Sequence, residues 1–370
     1  MALIEFDQKR ERDVVIIGRA TLDFNPNEIH RTLDKVKTFS MYLGGSPGNI
    51  AVGLNQLGKK VGFIGCVSND QFGDFIINFF KARGIDTTQM TRAQHGERMG
   101  LTFTEIKSET ESSILMYRDK VADLQIAPED VSENYIAGSK ALIVSGLALA
   151  AAPSREACLT AAQHARMHGT KIIFDIDYRP YTWRSKEEIA IYYSLMARLS
   201  DVVIGSRDEV NFAELLPEDA ETPPDHEIAE KYLSWGNKIV VIKHGKRGSV
   251  AYTADRHAYK VDSYHVKLLK SFGGGDAYAS AFVHGLLEGW EVPEALKHAT
   301  AHAAMVVASH SCSRQCRPLT KSKLSSKNTP LKKSLPKSIG RQKFRRAFNE
   351  IWKTRNRVKT RLQRNDHSRK

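Results

Sequence analysis

The chain has 370 residues, of which 41% are hydrophobic and 26% charged, ordinary proportions for a globular protein. No stretch approaches the roughly 20 apolar residues of a bilayer-spanning helix. Residues 1–12 are too charged for a signal peptide, and Cys66, Cys158, Cys312 and Cys316 are too scattered for a disulfide framework. Together these features lead us to expect a cytoplasmic protein with no membrane partner. The net charge is +13, but residues 314–370 hold 20 Lys and Arg against two acids, a net +18, which leaves −5 for residues 1–313. The chain is therefore expected to be an α/β domain over 1–313 followed by a basic tail over 314–370.

In chain order, residues 13–18 form a β-branched run ending in glycine, which reads as a buried strand. Residues 21–42 alternate polar and apolar side chains and read as half-exposed strands. The segment Gly44-Gly-Ser-Pro-Gly-Asn49 follows, leading into a helix over 48–57. Gly44 and Gly45 permit close approach of a ligand, and Asn49 offers a donor and acceptors. The same residues would also serve as a plain strand-to-helix turn. Strands are expected at 61–67, 141–145, 171–175, 202–205 and 238–243, with helices at 72–83, 154–168 and 186–199 between them. This alternation predicts a mainly parallel sheet covered on both faces. Residues 99–117 alternate again, so 21–42 and 99–117 are expected to form a small separate β-sheet able to act as a lid.

The most informative stretch is Lys270-Ser-Phe-Gly-Gly-Gly-Asp276, which opens a helix over 276–287. Gly273, Gly274 and Gly275 can turn their backbone amides toward one point at a helix N-terminus, an arrangement suited to phosphoryl charge. Asp276 can accept a proton from an attacking hydroxyl. Equally, the glycines can be a loop and Asp276 a helix cap.

Residues 44–58, continued through Gly62-Phe-Ile-Gly-Cys-Val-Ser-Asn-Asp-Gln-Phe-Gly73, resemble the first signature of the ribokinase-like (PfkB-type) carbohydrate kinases, and residues 272–282 resemble the second. The resemblance covers 13–313. It implies the ribokinase-like three-layer α/β sandwich with a small β-sheet lid, ATP as phosphoryl donor, Mg²⁺, and a monovalent cation such as K⁺. It also implies sugar binding by Asp23, Gly44, Gly45 and Asn49, catalysis by Asp276 with Gly273–Gly275, and a nucleotide site that includes Ser206, Lys243, Gly245, Gly248, Gly273 and Gly275. Glu209 matches the glutamate of the family's Asn-x-x-Glu motif, which reaches the metal through water, whereas Ser206 stands where that motif has asparagine.

Gly18-Arg-Ala, Tyr117-Arg118, residues 174–183 and 309–313 resemble the branch whose acceptor is 5-dehydro-2-deoxy-D-gluconate, phosphorylated on O6 in inositol breakdown. For such a sugar acid, Arg118, Arg179 and Asp177 join the expected substrate site, since guanidinium groups recognise carboxylates bidentately. Arg179 could instead pair with Asp175 or Asp177. The same fold acting on 2-dehydro-3-deoxygluconate or fructose is the alternative, and a homodimer through the lid is a further expectation.

The tail allows three readings: a solvated extension, an arm that binds nucleic acid or an acidic membrane surface, or a shifted-frame translation. Codons exist for residues 314–329 that, read two bases later, give Ala-Met-Pro-Thr-Val-Asn-Glu-Ile-Glu-Ala-Phe-Val-Glu-Glu-His, an acidic amphipathic helix. Family members typically end on such a helix.

Overall fold

A computed structural model describes residues 3–108, 111–179, 182–216, 222–266 and 272–308. The expectations for 309–313 and for the tail lie outside these residues.

Nine strands form the main sheet: β1 (Arg12–Ile17), β4 (Val61–Val67), β5 (Asp86–Arg92), β8 (Ser139–Ser145), β9 (Lys171–Asp175), β10 (Val202–Ser206), β11 (Ile239–Lys243), β12 (Ser249–Thr253) and β13 (Ala258–Val261). Their order is β13-β12-β11-β10-β9-β8-β1-β4-β5. From β5 to β11 all pairings are parallel, and β12 and β13 add an antiparallel edge. The central strands are continuous Val and Ile runs because both faces are covered. Val14 and Ile16 of β1 enter one apolar core, and Val15 and Ile17 enter the other. This is the period-2 alternation of a strand buried on both sides.

The first core packs under α1 (Ser46–Gln56), α2 (Gln71–Lys81), α8 (Gly274–Leu287) and α9 (Val292–Val307). The second packs under α3 (Glu133–Ala137), α4 (Ser154–His168), α5 (Lys186–Leu199), α6 (Arg207–Ala213) and α7 (Asp225–Ser234). The result is a helix–sheet–helix sandwich.

A second sheet of four strands, ordered β3-β2-β6-β7, is built from β2 (Thr21–Pro26), β3 (Phe39–Gly44), β6 (Leu101–Ile106) and β7 (Ser112–Tyr117). Its register separates two faces. Tyr42, Asp23, Thr102 and Met116 pair across the strands on one face, and Met41, Phe24, Phe103 and Leu115 pair on the other. Both alternating segments of the sequence are thus strands of one small sheet. Residues 27–38, between β2 and β3, are not strand and include a short 3-10 turn at Leu33–Lys35.

Candidate active site

In a parallel sheet, loops at the carboxyl ends of the strands converge on one side, where ligands usually bind. Here those ends supply Arg19 after β1, Ser145 of β8, Asp175 and Asp177 from β9, Ser206 of β10 and Lys243 of β11. Two helix N-termini meet them. The α1 helix begins at Ser46 after Gly45, whose φ is 82°, and α8 begins at Gly274 after Gly273, whose φ is 80°. A left-handed backbone here favours glycine. Gly273, Gly274 and Gly275 therefore start α8 with backbone amides unsatisfied within the helix, the arrangement that receives an anion.

Asp276 is the third residue of α8. Ser46 Oγ donates to its Oδ1 at 2.8 Å and Asn49 Nδ2 to its Oδ2 at 2.9 Å. The Asp276 carboxylate lines a cavity with Arg19, Thr21, Asp23, Asn25, Gly45, Ser46, Asn49, Thr102, Thr104, Ile114, Met116, Arg179, Phe272 and Gly273. Three buried polar atoms at this cavity, Arg19 Nε, Thr21 Oγ1 and Asn49 Oδ1, have no hydrogen-bond partner among the described residues. Buried polar atoms are costly to leave unpaired, so these three are available to a polar ligand. Gly44 lies directly behind Asp23: a Cβ there would sit 2.0 Å from Asp23 Oδ1.

The cations are distributed unevenly. Arg19 is buried and forms a two-pronged ion pair with Asp177, which also accepts from Ser145 Oγ at 2.8 Å. Burial opposes the charge on Asp177, but Arg19 and then Arg179 hold its carboxyl below the usual range. Arg179 Nη2 lies 3.5 Å from Asp177 Oδ1, so of the two ion pairs expected for it the one with Asp177 forms. Lys243 Nζ lies 3.5 Å from where a Cβ on Gly275 would stand. Burial works against its charge, but Glu209, Asp175, Asp276 and Asp177 raise its pKa, so the ammonium stays charged beside the glycine loop. Gly245, with φ 54°, and Gly248, with φ 87°, shape the turn between β11 and β12 and do not line the Asp276 cavity.

Arg118 is not brought into this cavity. Its guanidinium pairs with Asp123 at 2.6 Å and its Nε reaches Thr182 Oγ1 at 3.3 Å. It lines a neighbouring and larger concavity of about 570 Å³ with Asp70, Phe72, Arg98 and Tyr117, which borders the first through Met116. Asp70 there caps α2, and no glycine among the described residues lines this concavity.

Glu209 forms a capping box with Ser206: its Oε2 accepts from Ser206 N at 2.7 Å and its Oε1 from Tyr178 N at 3.3 Å. No group of three His, Cys, Asp or Glu that could hold a metal ion is found among the described residues. A Mg²⁺ ion, which dehydrates reluctantly, would need few protein ligands here, and Glu209 would reach it through water.

Sequence reasoning missed Arg19, Thr21, Asn25, Ser46, Thr102, Thr104 and Asp175 as site residues. The available signal was the spacing of Thr21, Asp23 and Asn25, and of Thr102 and Thr104, which alternation places on one face of the lid.

A lidded α/β sandwich with an aspartate at a glycine-rich helix N-terminus defines a sugar-kinase type of site. The chain belongs to the pfkB family of carbohydrate kinases, whose model matches residues 11–319. It is 60% identical over 315 residues to the 5-dehydro-2-deoxygluconokinase of Clostridium tetani, covering 85% of this chain and 92% of that one. Among solved structures, a PfkB protein from Polaromonas sp. JS666 superposes with a TM-score of 0.71 at 25% identity, covering 80% of this chain and 96% of that one. An uncharacterized sugar kinase from Pyrococcus horikoshii, solved in complex with ATP, gives 0.69 at 26% identity, covering 82% and 95%. No helix among the described residues is long and apolar enough to cross a membrane.

Proposed function

We propose that this chain transfers the γ-phosphate of ATP to O6 of 5-dehydro-2-deoxy-D-gluconate. The observation that carries the reading is the Asp276 carboxylate, held by Ser46 and Asn49 at the start of α8 beside Lys243. The 60% identity to a relative of that name supports the choice of acceptor.

In this reading Asn49 Oδ1, Thr21 and Asp23 hold acceptor hydroxyls. Arg179, one-third exposed at the cavity, and the Nε of Arg19 attract the acceptor carboxylate. Asp276 takes the proton from the terminal hydroxyl as its oxygen attacks phosphorus. The amides that open α8 and the ammonium of Lys243 hold the charge on the transferring group, and Ser206, Gly245 and Gly248 border the nucleotide. When bound, Mg²⁺ neutralises the phosphate oxygens.

The test is ADP release with Mg·ATP across 5-dehydro-2-deoxygluconate, 2-dehydro-3-deoxygluconate, fructose and ribose. We expect clear preference for the first. Preference for a neutral sugar overturns the acid assignment, and silence on all four overturns the activity.

The proposal includes a second copy of the chain. The lid face opposite the cavity is apolar: Phe24 and Phe103 stack at 5.0 Å, and Met41, Leu115 and Tyr117 are 38%, 42% and 57% exposed. Such a sheet face favours burial against a partner. Sedimentation should give a dimer that Leu115→Glu with Tyr117→Glu dissociates; a wild-type monomer removes this part. For residues 314–370 we propose the shifted-frame reading, supported by a family match that stops at residue 319. A gene whose other frame does not encode the acidic ending removes it.

A further inference from the structure

Ser46 Oγ stands between two carboxyl groups. It lies 2.8 Å from Asp276 Oδ1 and 3.1 Å from Asp175 Oδ2. A hydroxyl has one hydrogen, so it donates to one of them and turns a lone pair toward the other. With both acids ionised, the second contact would set a lone pair against a carboxylate in a buried place, where an unmatched charge is most costly. One further proton turns both contacts into hydrogen bonds.

The surroundings decide which acid carries it. Asp276 already accepts a second hydrogen bond, from Asn49 Nδ2. Asp175 is 4% exposed, and Ser46 is its only side-chain hydrogen-bond partner among the described residues. The charged groups facing Asp175 are Lys243 from β11, Glu209 from α6, Asp276 from α8 and its neighbour Asp177. One cation thus stands against three acids, while Arg19 and Arg179 are engaged with Asp177.

We infer that Asp175 is a positioning residue that stays protonated through the reaction, donating to Ser46 Oγ so that Ser46 donates to Asp276 and leaves Asp276 as the charged member of the chain. Burial, reinforced by Asp177, Glu209 and Asp276 and opposed by Lys243, pushes the Asp175 carboxyl up to about 7 and agrees with this arrangement. In the transfer, the acceptor O–H gives its proton to Asp276 and its oxygen forms the new bond to phosphorus. The bridging oxygen leaves with its electron pair on ADP, and Asp175 keeps its proton. When Asp175 ionises, it competes for the Ser46 hydrogen and repels the base, so turnover declines as pH rises through and above neutrality.

The inference rests on Asp276 being the base, and its test separates the two. The pH profile of kcat is measured for wild type, Asp175→Asn and Asp175→Ala. The amide Nδ2 of asparagine donates to Ser46 as a neutral carboxyl does. We expect Asp175→Asn to keep kcat at pH 6.5 within about threefold of wild type and to lose the alkaline decline, while Asp175→Ala falls by about 100-fold. An Asn variant as impaired as Ala, or one that keeps the decline, overturns the inference. Wild-type protein supplies a second readout that needs no folded variant: the infrared carbonyl band of a carboxylic acid, present at pH 6 and lost by pH 9. Absence of that band at pH 6 also overturns it. Turnover by Asp276→Asn would instead remove the base assignment, while the wild-type band at pH 6 would still report the Asp175 proton.

Discussion

Gly44 and Asp23 face each other so closely that even one carbon atom cannot be added between them. A Cβ on Gly44 would lie 2.0 Å from Asp23 Oδ1, so Gly44→Ala must drive that carboxylate out of its place in the cavity wall. If Asp23 holds an acceptor hydroxyl, the acceptor KM rises about tenfold or more with a smaller loss in kcat, since tenfold corresponds to roughly one hydrogen bond of about 1.4 kcal/mol. Steady-state kinetics check this, and an unchanged KM contradicts the role. Buried Arg19 gives a second expectation. Arg19→Ala takes from Asp177, which is 3% exposed, the nearer of its two cations and leaves Arg179 at 3.5 Å, so the loss is expected to stay below the roughly 3–5 kcal/mol of a fully broken buried pair, read by denaturant unfolding. Asp276, Asn49 and the glycines were legible in the sequence because they sit in segments whose composition already announces close backbone approach. Ser46 and Asp175 were not. Their meaning comes from a register that brings positions 46, 175 and 276 together, and nothing local to any one of them shows it.

At the scale of elements, the central strands were legible because Val and Ile runs buried on both faces leave a strong pattern, and the lid strands because one polar face alternates with one apolar face. The edge strand Asp86–Arg92 was not, since Asp, Thr, Gln and Arg fill it and no residue of it is fully buried. The hairpin of β12 and β13 was missed as well, because its antiparallel course follows from the turn at residues 254–257, where Arg256 has a φ of 67°, and not from the period of the strands. The helix that carries Asp276 is held by close packing against α9. A Cβ on Gly285 would lie 2.8 Å from Trp290 Cε3 and 2.9 Å from Ala295 Cβ. Gly285→Leu therefore forces the two helices apart, and we expect a loss of about 1–3 kcal/mol, measured by urea unfolding. Equal stability would contradict the close approach.

Over the whole molecule, stability depends on pH through groups whose protonation differs between folded and unfolded chains. Burial lowers the pKa of His284 to about 4, with Lys59 adding to the effect, and the pKa of His298 is lowered too. A depressed histidine contributes stability that is full above its unfolded value near 6.5 and is lost as pH falls toward the folded value. After discounting for partial exposure, His284 accounts for roughly 1–2 kcal/mol of loss between pH 6.5 and 4. Melting at pH 7.5 and 5 should show a smaller drop for His284→Gln than for wild type; identical drops contradict the assignment. The charge separation between an acidic body and a basic tail was readable from composition alone, and it carries no information about the site.

The central claim, that Asp276 is the base of a phosphoryl transfer, is tested most directly by kcat and acceptor affinity of Asp276→Asn with Mg·ATP. The account predicts turnover lowered by about 10²–10⁴-fold, with acceptor affinity by calorimetry changed by less than about threefold. Turnover within tenfold of wild type would contradict it.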